Sequence, residues 1–203
     1  MDLEYNVTSI FPTLIHRFRI KNFDEYKDKL IEETYQERRE DSIGRQISNC
    51  GGWQSNMIFI NECKSETLKK IMRDSLATFK PMKPNVHMVV EGWKNINEPG
   101  NFNMIHNHPR SHLSGVLWIK TPDKSGDILF QSPHEFIRYD EIDYYLDDFK
   151  QQTGFYYSYR FPPTEGEMLI FPSDLEHEVK PNESKEDRIS YSFNIHLGAV
   201  LSS

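Results

Sequence analysis

The chain is poor in cysteine: Cys50 and Cys63 are the only two among 203 residues. Their spacing fits neither a zinc ribbon nor a CxxC redox pair, and two thiols make no disulfide framework, so both are expected to be reduced. Long apolar runs are missing as well. No stretch approaches the roughly 20 apolar residues that a membrane-crossing helix needs, and the opening MDLEYNVTSIFPTLIHRF lacks a basic start before an apolar run. A cytoplasmic setting is the expectation. Positive charge is the third shortage. Lys and Arg number 24 against 31 Asp and Glu, a formal net charge of −7, which argues against nucleic acid or anionic membrane as partners.

What is present is material for a packed core. Aromatic residues make up 13% and charged residues 27% of the chain, a balance that excludes wholesale disorder. The length suits one domain spanning 1–203. In NFDEYKDKLIEETYQERRED, Phe23, Tyr26, Leu30, Ile31 and Tyr35 recur at helical spacing behind Asn22 as a cap residue. KSETLKKIMRDSLATFK repeats the pattern with Leu68, Ile71, Met72, Leu76 and Phe79, Ser65 as the cap and Pro81 as the stop. From residue 84 the texture changes to short apolar or alternating runs punctuated by Gly, Pro, Asn and Asp: HMVVEGWKNI, HLSGVLWIKT, GDILFQS, TGFYYSYRF, GEMLIFPS, HEVKP and RISYSFNIHL. Helices followed by five to eight strands imply an α+β, mainly β architecture, a sandwich or jelly roll with helices packed outside one sheet. Gly115 and Gly126 suit turns or close packing, and Trp93, Trp118, Phe130 and Phe171 suit the core. An exposed sheet edge makes a homodimer an open expectation.

The chemistry concentrates in NMIHNHPRSHLSGVLWIKTPDKSG. On extended backbone His106 and His108 leave the same face, and imidazole suits zinc, copper, nickel and iron. His-x-His alone equally describes exposed residues beside Pro109. Further along, His177 follows the run MLIFP, and Arg188 and Ser190 share a strand face, where a guanidinium fork and a hydroxyl can hold a carboxylate. The ordinary alternative for Arg188 is a surface ion pair with Glu183, Glu186 or Asp187.

This order of residues resembles the iron and 2-oxoglutarate dependent dioxygenases. HNHPRSHLSGVLWIKTPDKSGDILFQSP and GEMLIFPSDLEHEVKPNESKEDRISYSFNI look like a branch of these oxygenases found in bacteria and their phages. The resemblance covers roughly residues 84 to 197 and implies a double-stranded β-helix over that range, with the helices of residues 1–83 as its support layer. It also implies Fe(II) as metal, 2-oxoglutarate as cosubstrate and O2 as oxidant, with hydroxylation of a small-molecule or peptide substrate. By position, His106 matches the first metal ligand, His177 the distal one, and Arg188 with Ser190 the carboxylate anchor. NINEPGNFNMIH resembles a prolyl-hydroxylase stretch in which Asn97 and Asn103 stand where tyrosines are usual, making both cosubstrate-contact candidates. His108 departs from the pattern, because it stands where an Asp or Glu completes the triad. Three neutral imidazoles leave an Fe(II) site at a charge of about +2, which dianionic 2-oxoglutarate neutralises; Asp127, Glu176 or His112 are the alternative third donors.

Two other readings stay open. A cupin-like three-histidine dioxygenase needs no keto acid, and a non-catalytic jelly roll needs no iron. The acidic, aromatic insertion over residues 134–152, with Glu135, Asp140, Glu141 and Asp143, is a surface element or lid docked by Tyr139, Ile142, Tyr145 and Leu146. Its composition favours a basic or peptide-like substrate.

Overall fold

The computed structural model describes residues 3–79, 81–83, 85–134 and 142–199. Helix α1 (Asp24–Glu40) buries Leu30 and Thr34. Asn22 does not cap it: Phe23 occupies the cap position without a side-chain bond, and the Asn22 amide turns to Glu25. Phe23 is buried, and enclosing an aromatic ring outweighs a cap worth about 1 kcal/mol. Helix α2 (Glu66–Ala77) starts as expected, with Ser65 Oγ accepting the Leu68 N–H at 3.1 Å. It ends before Pro81 comes into play, its last turn closed by the Thr78 hydroxyl donating to the Ser75 carbonyl at 2.7 Å.

The residues before 84 also carry strands: β1 (His16–Arg19), β2 (Asn49–Cys50), β3 (Trp53–Gln54) and β4 (Ile58–Phe59). After them come β5 (Val86–Asn97), β6 (Phe102–His106), β7 (Leu113–Lys120) and β8 (Ile128–Gln131). A short helix, α3 (Asp147–Thr153), precedes β9 (Ser158–Phe161), β10 (Glu167–Pro172), β11 (His177–Val179) and β12 (Arg188–Ala199). The run TGFYYSYRF is therefore strand only in its last four residues. Among the described residues the strands form a seven-stranded sheet ordered β1-β10-β7-β12-β5-β3, with β4 beside β5, and a five-stranded sheet ordered β2-β6-β11-β8-β9. All pairings are antiparallel. This is the jelly roll that the strand punctuation implies.

Alternation along the large sheet separates two layers. Ile96 of β5, Leu117 and Ile119 of β7, Met168 and Ile170 of β10 and Ile189, Tyr191, Phe193 and Ile195 of β12 pack against α1 and α2 in one apolar cluster. Gly115 admits the Phe193 ring, which a side chain there would strike. Lys94 is the charged exception on this face, paired with Glu37 of α1 at 2.9 Å. A second cluster joins Val116, Trp118, Leu169 and Phe171 of the large sheet to Ile128 and Phe130 of β8, and it fills the space between the sheets. The inward positions of β5 and β12 are instead polar and largely buried: Asn95, Asn97, Arg188, Ser190 and Asn194.

Candidate metal and cosubstrate site

His106 ends β6 and His177 begins β11, and the two are direct partners across the ladder. Between Asn103 and His106 the register slips, since Asn103 faces Val179 while His106 faces His177. This bulge turns both Asn103 and His106 toward the inter-sheet cavity. His108 lies just beyond the strand, fixed by its N–H donating to the Ser173 carbonyl at 2.8 Å. The three rings converge, with centroid separations of 4.4 Å for His106 and His177, 5.0 Å for His106 and His108 and 5.2 Å for His108 and His177.

Their donor atoms lie within 4.8 Å of one another, and this is the one such cluster of metal-ligating side chains among the described residues. Asp127, Glu176 and His112 do not join it. The His106 Nδ1 bonds the Met104 carbonyl at 2.7 Å, and the His177 Nδ1 bonds the Leu175 carbonyl at 2.9 Å. A carbonyl only accepts, so Nδ1 carries the proton in each ring and Nε2 keeps a free lone pair. Burial pushes all three histidines below their ordinary range. His177 falls to about 3, from burial first and the neighbouring His106 second. His108 falls to about 4 for the same two reasons, and His106 is lowered by burial against the opposing Met104 carbonyl. The rings are therefore neutral near pH 7, the form in which imidazole takes a metal.

Arg188, the first residue of β12, shares this cavity with Ser190, Asn97 and Asn103. It is 2% exposed, and its Nη1 donates to the carbonyls of Ser125, Gly126 and Lys180 at 2.5, 3.2 and 3.3 Å. Gly126, at a φ of +93°, leaves the space for this cradle, because a Cβ there would sit 2.2 Å from the Lys180 carbonyl and 2.9 Å from Arg188 Nη1. The acids considered as surface partners are not engaged with it. Asp187 accepts from Tyr35 at 2.7 Å, Glu186 pairs with Lys120 at 2.8 Å, and Glu183 is exposed. Among the described residues Arg188 has no carboxylate partner. Burial lowers its guanidinium to about 10, so it stays charged at neutral pH. A buried cation facing a cavity without a counter-charge is costly unless an anion completes it.

The polar groups around the anchor are themselves held in place. The Asn95 amide donates to Ser192 at 3.0 Å and reaches Ser190 at 3.5 Å. Asn97 donates to Asn103 at 3.4 Å, and Asn103 to Ser48 at 3.2 Å. Asn182, 1% exposed, donates to the Asn97 and Glu186 carbonyls at 2.8 and 2.7 Å and so ties the loop ahead of Arg188 to the end of β5. Asn95, Asn182 and Ser48 were not singled out from the sequence. Asn95 was detectable as the polar partner, two residues before Asn97, on a strand whose other face is apolar apart from Lys94. Asn182 in KPNESKED reads as a solvated turn, and Ser48 carries no local signal.

This jelly roll, with a histidine cluster and a buried cation between its sheets, has the architecture of the 2-oxoglutarate oxygenases. Residues 91–194 match the family model described as "Putative 2OG-Fe(II) oxygenase". The chain belongs to this family, whose cofactors are iron and 2-oxoglutarate. No curated protein sequence matches it. Among solved structures, a Pseudomonas putida prolyl-4-hydroxylase superposes with a TM-score of 0.61 at 15% identity, covering 91% of this chain and 92% of that one. HygX from Streptomyces hygroscopicus, with nickel and 2-oxoglutarate bound, gives 0.58 at 10% identity over 94% and 85%. A carbocyclase of nogalamycin biosynthesis gives 0.57 at 11% over 90% and 79%. At these identities the likeness is one of fold.

Proposed function

We propose that His106, His108 and His177 hold Fe(II), that Arg188 and Ser190 anchor the far carboxylate of 2-oxoglutarate, and that the enzyme hydroxylates an organic substrate. The observation that carries this reading is a fully buried guanidinium without a carboxylate partner among the described residues, opening into the same cavity as three neutral imidazoles. When bound, Fe(II) and 2-oxoglutarate supply the oxidising chemistry, in which O2 converts the keto acid to succinate and CO2 and one oxygen atom goes to the substrate.

The residues of the chain prepare the site. The Met104 and Leu175 carbonyls fix the tautomers of His106 and His177, so that both present Nε2. Trp93, with its ring centroid 5.6 Å from that of His108, covers that ring and restricts its rotation. The Gly126 turn and the Ser125 and Lys180 carbonyls aim the unbonded edge of Arg188 into the cavity. Asn95 orients the Ser190 hydroxyl beside it. Asn97 and Asn103 form a polar wall that offers amide contacts to the keto acid. Phe171 and Phe130, packed edge-on at 4.8 Å, exclude water on the other side of His177.

A three-histidine dioxygenase without keto acid would leave Arg188 a buried charge with nothing to bind, so the 2-oxoglutarate reading is preferred. A reduced, cytoplasmic setting belongs to the same proposal, supported by the free thiols of Cys50 and Cys63. The test is anaerobic titration of metal-free protein with Fe(II) and then 2-oxoglutarate, followed through the visible charge-transfer band of the chelated keto acid. The band is expected after one equivalent of each. Stoichiometric iron without a band would favour the reading without keto acid, and absence of iron binding would remove the enzyme assignment.

A further inference from the structure

A larger cavity, of about 530 Å³, opens on the other side of the wall formed by Phe130 and Leu175. It lies where the edge strands of the two sheets, β1 and β9, leave the jelly roll open, and the segment of residues 7–15 and helix α3 complete its rim. Rings dominate its lining, among them Phe130, Phe149, Phe155, Tyr159 and Phe161. In a chain with 27% charged residues, none of the described residues lining it is Asp, Glu, Lys or Arg. The nearby Arg17 sits 5.5 Å from the Phe161 ring centroid but is paired with Glu167 at 2.5 Å.

The described part of the acidic insertion, residues 142–152, sets aromatic side chains against this cavity. It contributes Tyr145 and Phe149, whereas Asp147 points to solvent and pairs with Lys150 at 2.7 Å. Of the acids expected to attract a basic substrate, Glu135, Asp140, Glu141 and the side chain of Asp143 lie outside the described residues, as does Tyr139. The size falls in the range of about 300–1,000 Å³ usual for small-molecule sites. A charged ligand would lose its hydration here without a counter-charge among the described lining, whereas aromatic rings offer stacking and apolar contact.

A layer of side chains stands between the cavity and the metal site. Phe130 lines it and stands 5.8 Å from the His177 ring centroid. Leu175 lines it too, and its carbonyl holds the His177 Nδ1. We infer that this cavity binds an uncharged, ring-bearing small molecule and presents it past Phe130 to the histidine cluster as the substrate. The substrate role rests on the oxygenase reading above.

The test compares two fluorescent probes on the full-length protein, neutral N-phenylnaphthylamine and the anionic anilinonaphthalene sulfonate. The neutral probe is expected to bind saturably at one equivalent and the sulfonate at least tenfold more weakly. Tyr159 is 49% exposed, so the strand tolerates change there. Tyr159→Glu is expected to weaken the neutral probe at least tenfold, while Tyr159→Phe leaves it within twofold. With Mn(II) and 2-oxoglutarate loaded, the fluorine signal of a fluorinated neutral naphthalene is expected to broaden. Equal affinity for both probes, or no neutral binding in protein that forms the iron and 2-oxoglutarate band, overturns the inference and leaves the oxygenase reading standing. Binding without broadening overturns the substrate role. Protein that forms no band loses the oxygenase reading and the substrate role together, while the probe titration still decides the chemistry of the cavity.

Discussion

Strand β12 has two unlike faces. Ile189, Tyr191, Phe193 and Ile195 pack under the helices, while Arg188, Ser190, Ser192 and Asn194 point between the sheets. Both faces are largely buried, yet one is apolar apart from the Tyr191 hydroxyl and the other carries a cation, two hydroxyls and an amide. The helix side removes apolar surface from water and so supplies stability. The inward side must satisfy every polar group, as Asn194 does by accepting from Ser114 at 2.9 Å, and Arg188 is the member that stays incomplete. A buried polar row opposite an apolar one thus marks where a strand serves binding rather than folding.

Substitutions can separate the two faces. The largest effect is expected from His177→Ala: complete loss of stoichiometric iron binding and of the keto-acid band in protein that denaturant titrations show is still folded. Phe193→Ala, on the other face, is expected to cost about 3–5 kcal/mol by leaving a cavity beside Gly115, while whatever folds still binds iron. Arg188→Met is expected to weaken 2-oxoglutarate about a hundredfold, since charge-assisted hydrogen bonds contribute roughly 1.5–3 kcal/mol, as read from the band titration. Its metal-free stability should stay level or rise, because an uncompensated buried charge has gone.

A last test is the pH dependence of the metal-free protein. His177 sits at about 3 and His108 at about 4, against an ordinary 6.5. The unfolded chain therefore takes up protons that the native rings refuse. Stability is full above pH 6.5 and falls as the pH drops toward 4, by about 1.4 kcal/mol per pH unit for each ring. Thermal melts across that window should show the slope, and His108→Gln with His177→Gln should flatten it.

Long strands and α2 were legible because period and caps agree over many residues. The short strands were not: β2, β3 and β4 are each two residues long, too short for any period, and β1 is recruited only by pairing with β10. The residues FYY at 155–157 have strand composition but lie outside β9, and Phe155 and Tyr156 serve a cavity wall rather than a ladder. The histidines and Arg188 could be named from their order along the chain, but not the loss of acidic partners around Arg188, which depends on Tyr35 and Lys120 drawing Asp187 and Glu186 away. The aromatic cavity was invisible because residues 7–15 and 145–161 meet only in three dimensions.

The bulge in β6 settles a conflict of parity. Asn103 and His106 are an odd number of residues apart, so a regular strand would send them to opposite faces, and the slip between them brings both inward. The same slip sets the Met104 carbonyl against the His106 Nδ1 at 2.7 Å, so deleting Met104 or Ile105 would make the interval even but put the Asn103 carbonyl two residues before His106 in place of that of Met104. Removing Asn107 changes the even interval between His106 and His108, where no slip stands ready to absorb it, and costs the site its third imidazole. The slip thus sets the facing of Asn103 and His106 and the proton position of the His106 ring at once.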